Sequence, residues 1–244
     1  GLSRLSGLRQ LEVLRIAGTL VEGPGVTHLT NLPALRELDL GGARVDDTVI
    51  PAISKMAALD ELRLAYTEVT DRGIKDLTGL PNLRILSLAG TDIGDESLAQ
   101  IATYTNLREL NLNQTRFTDD GMVALKPLQH LERIEMFRTQ AGNVGAAALA
   151  SLKNLAVVKL DYTALDDTGL EALRSLPQVR ELSVDSTNIT DKGVASLKTM
   201  AGLKNLNLYH TLVSEKGYQE LRQSLPACAI VFDRDSALPN RRSR

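Results

Sequence analysis

The sequence contains no tryptophan and only three phenylalanines and five tyrosines in 244 residues, so its core cannot be built around large rings. Leucine must fill the interior instead. The single cysteine, Cys228, cannot form an internal disulfide, and a buried structural thiol is expected there. Positive and negative side chains nearly cancel (28 against 30), which gives the chain no general attraction to nucleic acid or anionic lipid. No apolar run approaches the length of a membrane span, so we expect no membrane insertion.

Internal repetition is the dominant feature of the sequence. An apolar residue returns every 24 residues, and each unit of 24 residues is called a coil below. The nine coils begin at Leu8, Leu32, Met56, Leu80, Tyr104, Leu128, Leu152, Leu176 and Met200. Further apolar residues follow at the fourth, seventh and ninth positions, as in Leu107, Leu110 and Leu112 of coil 5. Nine units in one frame, without insertion or deletion, predict a solenoid in which each coil packs on its neighbours.

Each coil changes its hydrophobic period partway along. The stretch LRELNL (107–112) ends in strict alternation, which predicts a strand with one buried face. Downstream, the stretch TDRGIKDL (70–77) places Ile74 and Leu77 three residues apart, as on the apolar side of a short helix. An acidic residue such as Asp71 stands at the start of most of these segments. We expect it to cap the first amides of the helix that it begins.

A column of threonines occupies the twelfth position of the coils, for example Thr67, Thr91 and Thr115. The chain turns inward here after the strand, and buried backbone groups need hydrogen-bond partners. The sequence therefore suggests that each hydroxyl donates to one neighbouring coil and accepts from the other. Ala43 interrupts the column once, and a looser contact is expected at that coil.

The pattern LxxLxLxxTxITDxG, present in residues 179–193 with valine at two of the leucine positions, resembles the leucine-rich repeat family. It is similar to the cysteine-containing subclass found in F-box-type proteins, with threonine in place of cysteine, and a bacterial-type repeat protein is expected. The resemblance covers residues 8–223. It implies an α/β fold, a right-handed solenoid or horseshoe, with a parallel β-sheet on the concave face and short helices on the convex face. In this family, partners usually occupy the concave face.

The repeat frame also divides the chain. Residues 1–7 are expected to be part of an N-terminal coil, residues 8–223 the nine repeats, and residues 224–233 a closing strand built on the sequence AIVFD. Residues 234–244 are polar, and we expect them to be disordered. Because the chain begins with Gly1 rather than methionine, a fragment or processed product is expected.

The tenth and eleventh positions of each coil follow the strand and face the concave surface or its edge. They are mostly small in coils 1–4 and change abruptly to larger and polar residues in coils 5–9. Exposed aromatic and arginine side chains commonly anchor protein interfaces. We therefore predict a partner site centred on Phe137, Arg138, Tyr162 and Tyr209, with a cation–π contact between Arg138 and Tyr162. The predicted site residues are Asn113, Gln114, Phe137, Arg138, Asp161, Tyr162, Asp185, Tyr209 and His210.

Other functions have less support in the sequence. A nucleic-acid groove requires a basic stripe, whereas acids such as Glu37 and Glu61 alternate here with Arg15 and Arg63. The three histidines are far apart in the repeat frame, so we expect no metal, no cofactor and no catalytic site. The favoured function is a monomeric, non-catalytic protein–protein interaction scaffold. The alternatives are the substrate-recognition part of a larger enzyme, such as a ubiquitin-ligase-like receptor or a kinase, and a binder of carbohydrate or a cell-surface ligand.

Overall fold

The computed structural model describes residues 1–237. Within them, ten short strands form one parallel sheet in sequence order. The strands are Val13–Arg15 (β1), Glu37–Asp39 (β2), Glu61–Arg63 (β3), Ile85–Ser87 (β4), Glu109–Asn111 (β5), Arg133–Glu135 (β6), Val157–Lys159 (β7), Glu181–Ser183 (β8), Asn205–Asn207 (β9) and Ala229–Val231 (β10). The sheet lines the concave face of a solenoid, as the repeat pattern predicts.

Short helices alternate with the strands and form the convex face. The α-helices are Gly23–Val26 (α1), Ile50–Ile53 (α2), Asp71–Asp76 (α3), Asp95–Ile101 (α4), Asp119–Met122 (α5), Asn143–Leu149 (α6), Asp167–Leu173 (α7), Asp191–Lys198 (α8) and Glu215–Ser224 (α9). The 3-10 helices are Leu2–Leu5, Thr27–Asn31, Asp47–Val49 and Val123–Leu125. Helices are wider than strands, so this arrangement curves the stack with the sheet inside.

The core is a continuous column of aliphatic side chains. Each strand is paired with the next at a register of 24 residues, so Leu62, Leu86 and Leu110 lie side by side in adjacent strands. All three side chains are fully buried. The predicted stacking of equivalent leucines is therefore confirmed, and the scarcity of aromatic residues is matched by a core in which Phe117 is the largest fully buried side chain.

The threonine column makes bonds of a different kind from those that we predicted. Each hydroxyl donates to a carbonyl three residues earlier in its own coil, as Thr115 does to Leu112 at 2.7 Å. The remaining bonds of this type start from Thr19, Thr67, Thr91, Thr139, Thr163, Thr187 and Thr211. The predicted ladder between coils is therefore wrong. At Ala43 the backbone amide bonds to the equivalent carbonyl of Leu40 at 2.9 Å, so this coil keeps its closed turn.

Replacing Thr115 by valine is expected to lower the free energy of unfolding by about 1 kcal/mol, because the buried Leu112 carbonyl loses its hydroxyl donor. Thr19 makes the same bond to Ile16 but is exposed, so water can replace its hydroxyl. Thr19→Val is the matched control and should change stability less. Urea denaturation of both variants measures the difference, and equal losses would contradict the role assigned to burial.

The aspartates at the helix starts also act between coils rather than within them. Asp95 opens α4, but its carboxylate accepts the amide and the hydroxyl of Thr118 in the next coil at 2.7 and 2.9 Å. A backbone amide of the next coil also bonds to the side chain at this position in Asp47, Asp71, Asp119, Asn143, Asp167 and Asp191. Thr118 in turn caps its own helix by accepting the amide of Asp120. The prediction that these acids cap their own helices is therefore wrong: they join consecutive coils on the convex side.

The two ends of the stack differ. In coil 1, Leu8 and Leu20 are 50% and 74% exposed, so this coil is only partly covered. At the other end, β10 pairs with β9, and the ring of Phe232 stacks on Tyr218 at 4.6 Å. Cys228 is buried beside this strand, and burial raises the pKa of its thiol.

Residues 234–237, which the sequence assigns to a disordered tail, form a turn on the last coil. Ser236 is buried there and donates to the carbonyl of Thr211 at 2.9 Å. The remainder of the predicted tail, residues 238–244, lies outside the described residues.

Candidate functional site

The eleventh residue of every coil has a left-handed backbone conformation. The φ angles lie between 50° and 67° at Gly18, Gly42, Tyr66, Gly90, Gln114, Arg138, Tyr162, Ser186 and His210, which are called the rim positions below. In this conformation, the amide of a rim residue reaches a carbonyl of the next coil, as Arg138 reaches Asp161 at 3.0 Å. Glycine adopts such angles without steric cost, which explains its presence in coils 1, 2 and 4.

The other six rim positions carry side chains that this backbone disfavours. A left-handed residue with a Cβ costs roughly 1 kcal/mol relative to glycine. Arg138 and Tyr162 therefore project large side chains from positions where glycine would be more stable. Such local strain is typical of functional surfaces, where the side chain has a use that offsets the loss of stability.

Gln114→Gly is expected to raise the free energy of unfolding by about 0.5–1 kcal/mol, because it removes the left-handed strain from an exposed side chain. Gln140 is also exposed but has an ordinary negative φ, so Gln140→Gly should lower stability through added chain entropy. The two glutamine variants are compared by thermal and urea denaturation. A loss of stability in both would contradict the strain argument.

Three side chains from two adjacent coils form an aromatic–arginine cluster at the rim: Phe137, Arg138 and Tyr162. The rings of Phe137 and Tyr162 meet edge to face, with 5.1 Å between their centroids. The guanidinium carbon of Arg138 lies 5.1 Å from each of the two centroids. The predicted contact between Arg138 and Tyr162 is confirmed, and the second contact to Phe137 holds the guanidinium against both rings.

The positive charge of this cluster is available to another molecule. Within residues 1–237, no carboxylate lies within salt-bridge distance of Arg138. The Arg138 side chain is exposed, and Tyr162 is 41% exposed. The cluster therefore presents two ring surfaces and an unpaired guanidinium to solvent.

Two of the predicted site residues, Asn113 and Asp161, use their side chains to bond the backbone of the next coil. The side-chain carbonyl of Asn113 accepts the amide of Phe137 at 2.7 Å, and the carboxylate of Asp161 accepts the amide of Asp185, also at 2.7 Å. Burial raises the pKa of Asp161, while bonds from the Ser183 hydroxyl and the Asp185 amide partly oppose that rise. Asn113 and Asp161 thus position the residues that follow the strands in the next coil.

The remaining predicted residues lie further along the rim. The ring centroids of Tyr209 and His210 are 3.9 Å apart. His210 also lies between two carboxylates, with Nδ1 3.6 Å from Asp185 and Nε2 3.8 Å from Asp233. Asp185 additionally accepts the hydroxyl of Ser186 at 2.8 Å. These contacts form a second, more polar group towards the C-terminal end of the rim.

The concave sheet face between the rims carries paired charges. Glu37 accepts Arg15 at 2.8 Å and Arg63 at 3.4 Å across the first three strands. Further along the sheet, Glu135 lies 3.2 Å from both Arg133 and Lys159. Because acids and bases neutralise one another on this face, it has no continuous charge of one sign.

Comparison with known proteins is consistent with this architecture. Residues 79–102, 105–126 and 176–198 match the family model described as "Leucine Rich repeat". Three of its repeats match this family, and its fold is that of a leucine-rich repeat solenoid. A search of curated proteins finds no match.

Among solved structures, this chain is similar to internalin C2 from Listeria monocytogenes. The sequences are 23% identical, the match covers 83% of this chain and 81% of that one, and the TM-score is 0.68. An internalin (inlF) from the same species is 19% identical over 95% of this chain and 86% of that one, with a TM-score of 0.45. At these identities the likeness to internalin C2 shows the fold alone.

The leucine-rich repeat frame brings together some of the predicted site residues and separates others. Phe137, Arg138 and Tyr162 form one cluster, while Tyr209 and His210 form another group two coils away. The sequence prediction missed the left-handed rim, although glycine at the same position in coils 1, 2 and 4 was its visible signal. Tyr66, a rim residue that is 59% exposed, lies in coil 3 and outside the predicted site.

Within residues 1–237, no group of three or more histidine, cysteine, aspartate or glutamate side chains is placed to hold a metal ion. None of the described helices is both long enough and apolar enough to cross a membrane.

Proposed function

We propose that this chain is a non-catalytic interaction scaffold whose protein partner contacts the concave side along the rim of coils 5–9. Leucine-rich repeat proteins are commonly protein-interaction scaffolds. The observation that carries the proposal is the aromatic–arginine cluster of Phe137, Arg138 and Tyr162, built partly on left-handed backbone.

The geometry of the cluster suits an interface anchor. Tyrosine and phenylalanine bury much area while losing little conformational entropy. The contacts of Arg138 with both rings hold its long side chain in place before a partner arrives, which reduces the entropy lost on binding. Its unpaired charge favours a partner segment with a carboxylate next to an apolar side chain.

Hydrogen bonds at two places weigh against carbohydrate binding and against catalysis by this chain. The amide groups of Asn111 and Asn113, which would suit a sugar, bond to protein: each donates to Glu135 at 3.4 Å, and each accepts a backbone amide. Near His210, the hydroxyl of Ser186 donates to the carboxylate of Asp185 instead of the imidazole, so the serine–histidine pair of a nucleophilic site is not set up there. These contacts favour protein binding over carbohydrate binding or catalysis.

The proposal is tested with Phe137→Ala and Tyr162→Ala. A partner captured on the wild-type chain is purified, and its affinity for each variant is measured by titration calorimetry. Each substitution is expected to weaken binding by about 30-fold, the loss typical of an interface anchor. Tyr66→Ala removes an exposed rim tyrosine outside the cluster and serves as the control, with unchanged affinity expected. If both cluster variants bind within threefold of the wild type while their melting curves show a folded chain, the cluster is not the interface.

A further inference from the structure

The edge of the sheet opposite the rim contains a pocket of about 260 Å³. Asn82, Arg84, Asn106, Arg108 and His130 line it. These residues lie just before strands β4, β5 and β6, whereas the rim residues follow the strands. The pocket is therefore separate from the aromatic–arginine cluster and needs its own explanation.

Repeat geometry places its two arginines side by side. Arg84 and Arg108 are 24 residues apart and directly precede adjacent parallel strands. Adjacent strands are about 4.8 Å apart, so the two side chains start from neighbouring points on the same edge. Like charges at such a spacing repel each other, and an anion between them would relieve that repulsion.

The charges of this pocket are not balanced by its lining. No carboxylate is among the lining residues. Arg108 forms an ion pair with Glu132, but no carboxylate in the described part of the chain lies within salt-bridge distance of Arg84. One coil earlier, the pocket along the same edge includes Glu12 and Asp60 together with Arg36 and Arg84, so charges of both signs meet there. The lining of the pocket between Arg84 and His130 thus carries an excess of positive charge that the preceding pocket lacks.

The two asparagines are held in fixed orientations. The amide nitrogen of Asn82 donates to the carbonyl of Ala57 at 3.2 Å, and that of Asn106 donates to Pro81 at 2.9 Å. Each amide group has a second N–H that can serve another acceptor. The backbone amides of Arg84 and Arg108 are already bonded to the carbonyls of Asp60 and Arg84, so these two arginines can contact a ligand only through their side chains.

We propose that this pocket binds a tetrahedral oxyanion, the chemistry shared by phosphate and sulfate groups. Arg84 and Arg108 supply charged N–H donors, and a guanidinium can contact two oxygens of such an anion at once. Asn82 and Asn106 supply neutral donors, and His130 completes the lining of the pocket. The group can belong to a phosphorylated peptide or to a sulfated sugar.

Nuclear magnetic resonance of the arginine Nε–Hε groups tests this proposal. Sodium phosphate and sodium sulfate are titrated at constant ionic strength, with sodium chloride as the reference salt. We expect saturable shifts for Arg84 and Arg108, and about tenfold weaker binding in Arg84→Gln. Arg180→Gln is the matched control, because Arg180 is exposed at the same position of coil 8 and is not among the pocket residues. Equal, non-saturating shifts at Arg84 and Arg180 would overturn the proposal.

Two further probes, O-phosphoserine and galactose 6-sulfate, distinguish a phosphorylated peptide from a sulfated sugar as the source of the anion. Tighter binding of phosphoserine than of inorganic phosphate supports a phosphorylated peptide, and tighter binding of the sulfated sugar than of inorganic sulfate supports a glycan. Absence of saturable binding for every probe overturns the site. Phe137→Ala should leave all these affinities unchanged, so this result is independent of the proposed protein interface.

Discussion

Leu110→Ala is expected to lower the free energy of unfolding by about 2–5 kcal/mol, since it removes a fully buried side chain from a tightly stacked column. Leu110 lies between Leu86 of β4 and Ile134 of β6, so both neighbouring coils lose contacts with it. In a repeat stack, most of the stability of a coil comes from these neighbours. The loss of stability should therefore be larger for this substitution in a central coil than for the same substitution in a terminal coil.

The matched control is Leu14→Ala. Leu14 occupies the same strand position in coil 1, but it is only partly buried and has a paired strand on one side, at Leu38. Its substitution should reduce stability clearly less than the change at Leu110. Urea denaturation followed by circular dichroism measures both. Similar losses at the two positions would contradict the view that stacking on both sides holds each coil.

Gly121→Ala is expected to lower the free energy of unfolding by about 1–3 kcal/mol, the usual effect of forcing an extra methyl group into a packed site. A Cβ at Gly121 would lie 2.3 Å from the Oδ1 atom and 2.9 Å from the Cα atom of Asp95. The Cα atom belongs to the backbone of α4, so the clash cannot be relieved by a side-chain rotation. Displacing Asp95 would also weaken its bonds to Thr118.

Gly25 provides the control for this effect, because it occupies the equivalent position in coil 1. A Cβ there would meet Leu2 at 3.5 Å, an ordinary van der Waals contact. Gly25→Ala should leave stability unchanged or raise it by up to about 1 kcal/mol through the better helix propensity of alanine. Thermal denaturation of the two variants should therefore give shifts of different size and sign. A stabilised Gly121→Ala would show that the inter-coil aspartates are not tightly confined.

The fold was predictable because one rule repeats. Residues 24 apart must be equivalent, so the alternation around Leu110 identifies the buried face of every strand at once. The hydrogen bonds were harder to assign. A threonine hydroxyl such as that of Thr115 has carbonyls within reach both three residues earlier and in the adjacent coil, and composition does not distinguish them. Asp95 presents the same difficulty, since the first amides of two successive helices lie near its carboxylate.

The candidate site was predictable to a smaller extent. Arg138 and Tyr162 share a repeat position in adjacent coils, so their proximity followed from the spacing alone. The supporting roles of Asn113 and Asp161 depend on which way a short side chain turns, which the repeat frame does not determine. The anion pocket was missed because it combines two asparagines with two arginines that are each unremarkable in the sequence.

The forward bonds of the helix-start aspartates give the stack a direction. Each carboxylate serves the coil that follows, and the last position of the series holds Glu215, which instead contacts Arg234 at 2.9 Å and Gln219 at 2.7 Å. Because no further helix follows α9 among the described residues, the side chain of Glu215 contacts the closing segment and its own helix instead. Lengthening this protein by an added repeat after residue 223 would therefore call for Glu215→Asp, whereas repeats inserted between existing coils need only copy their neighbours.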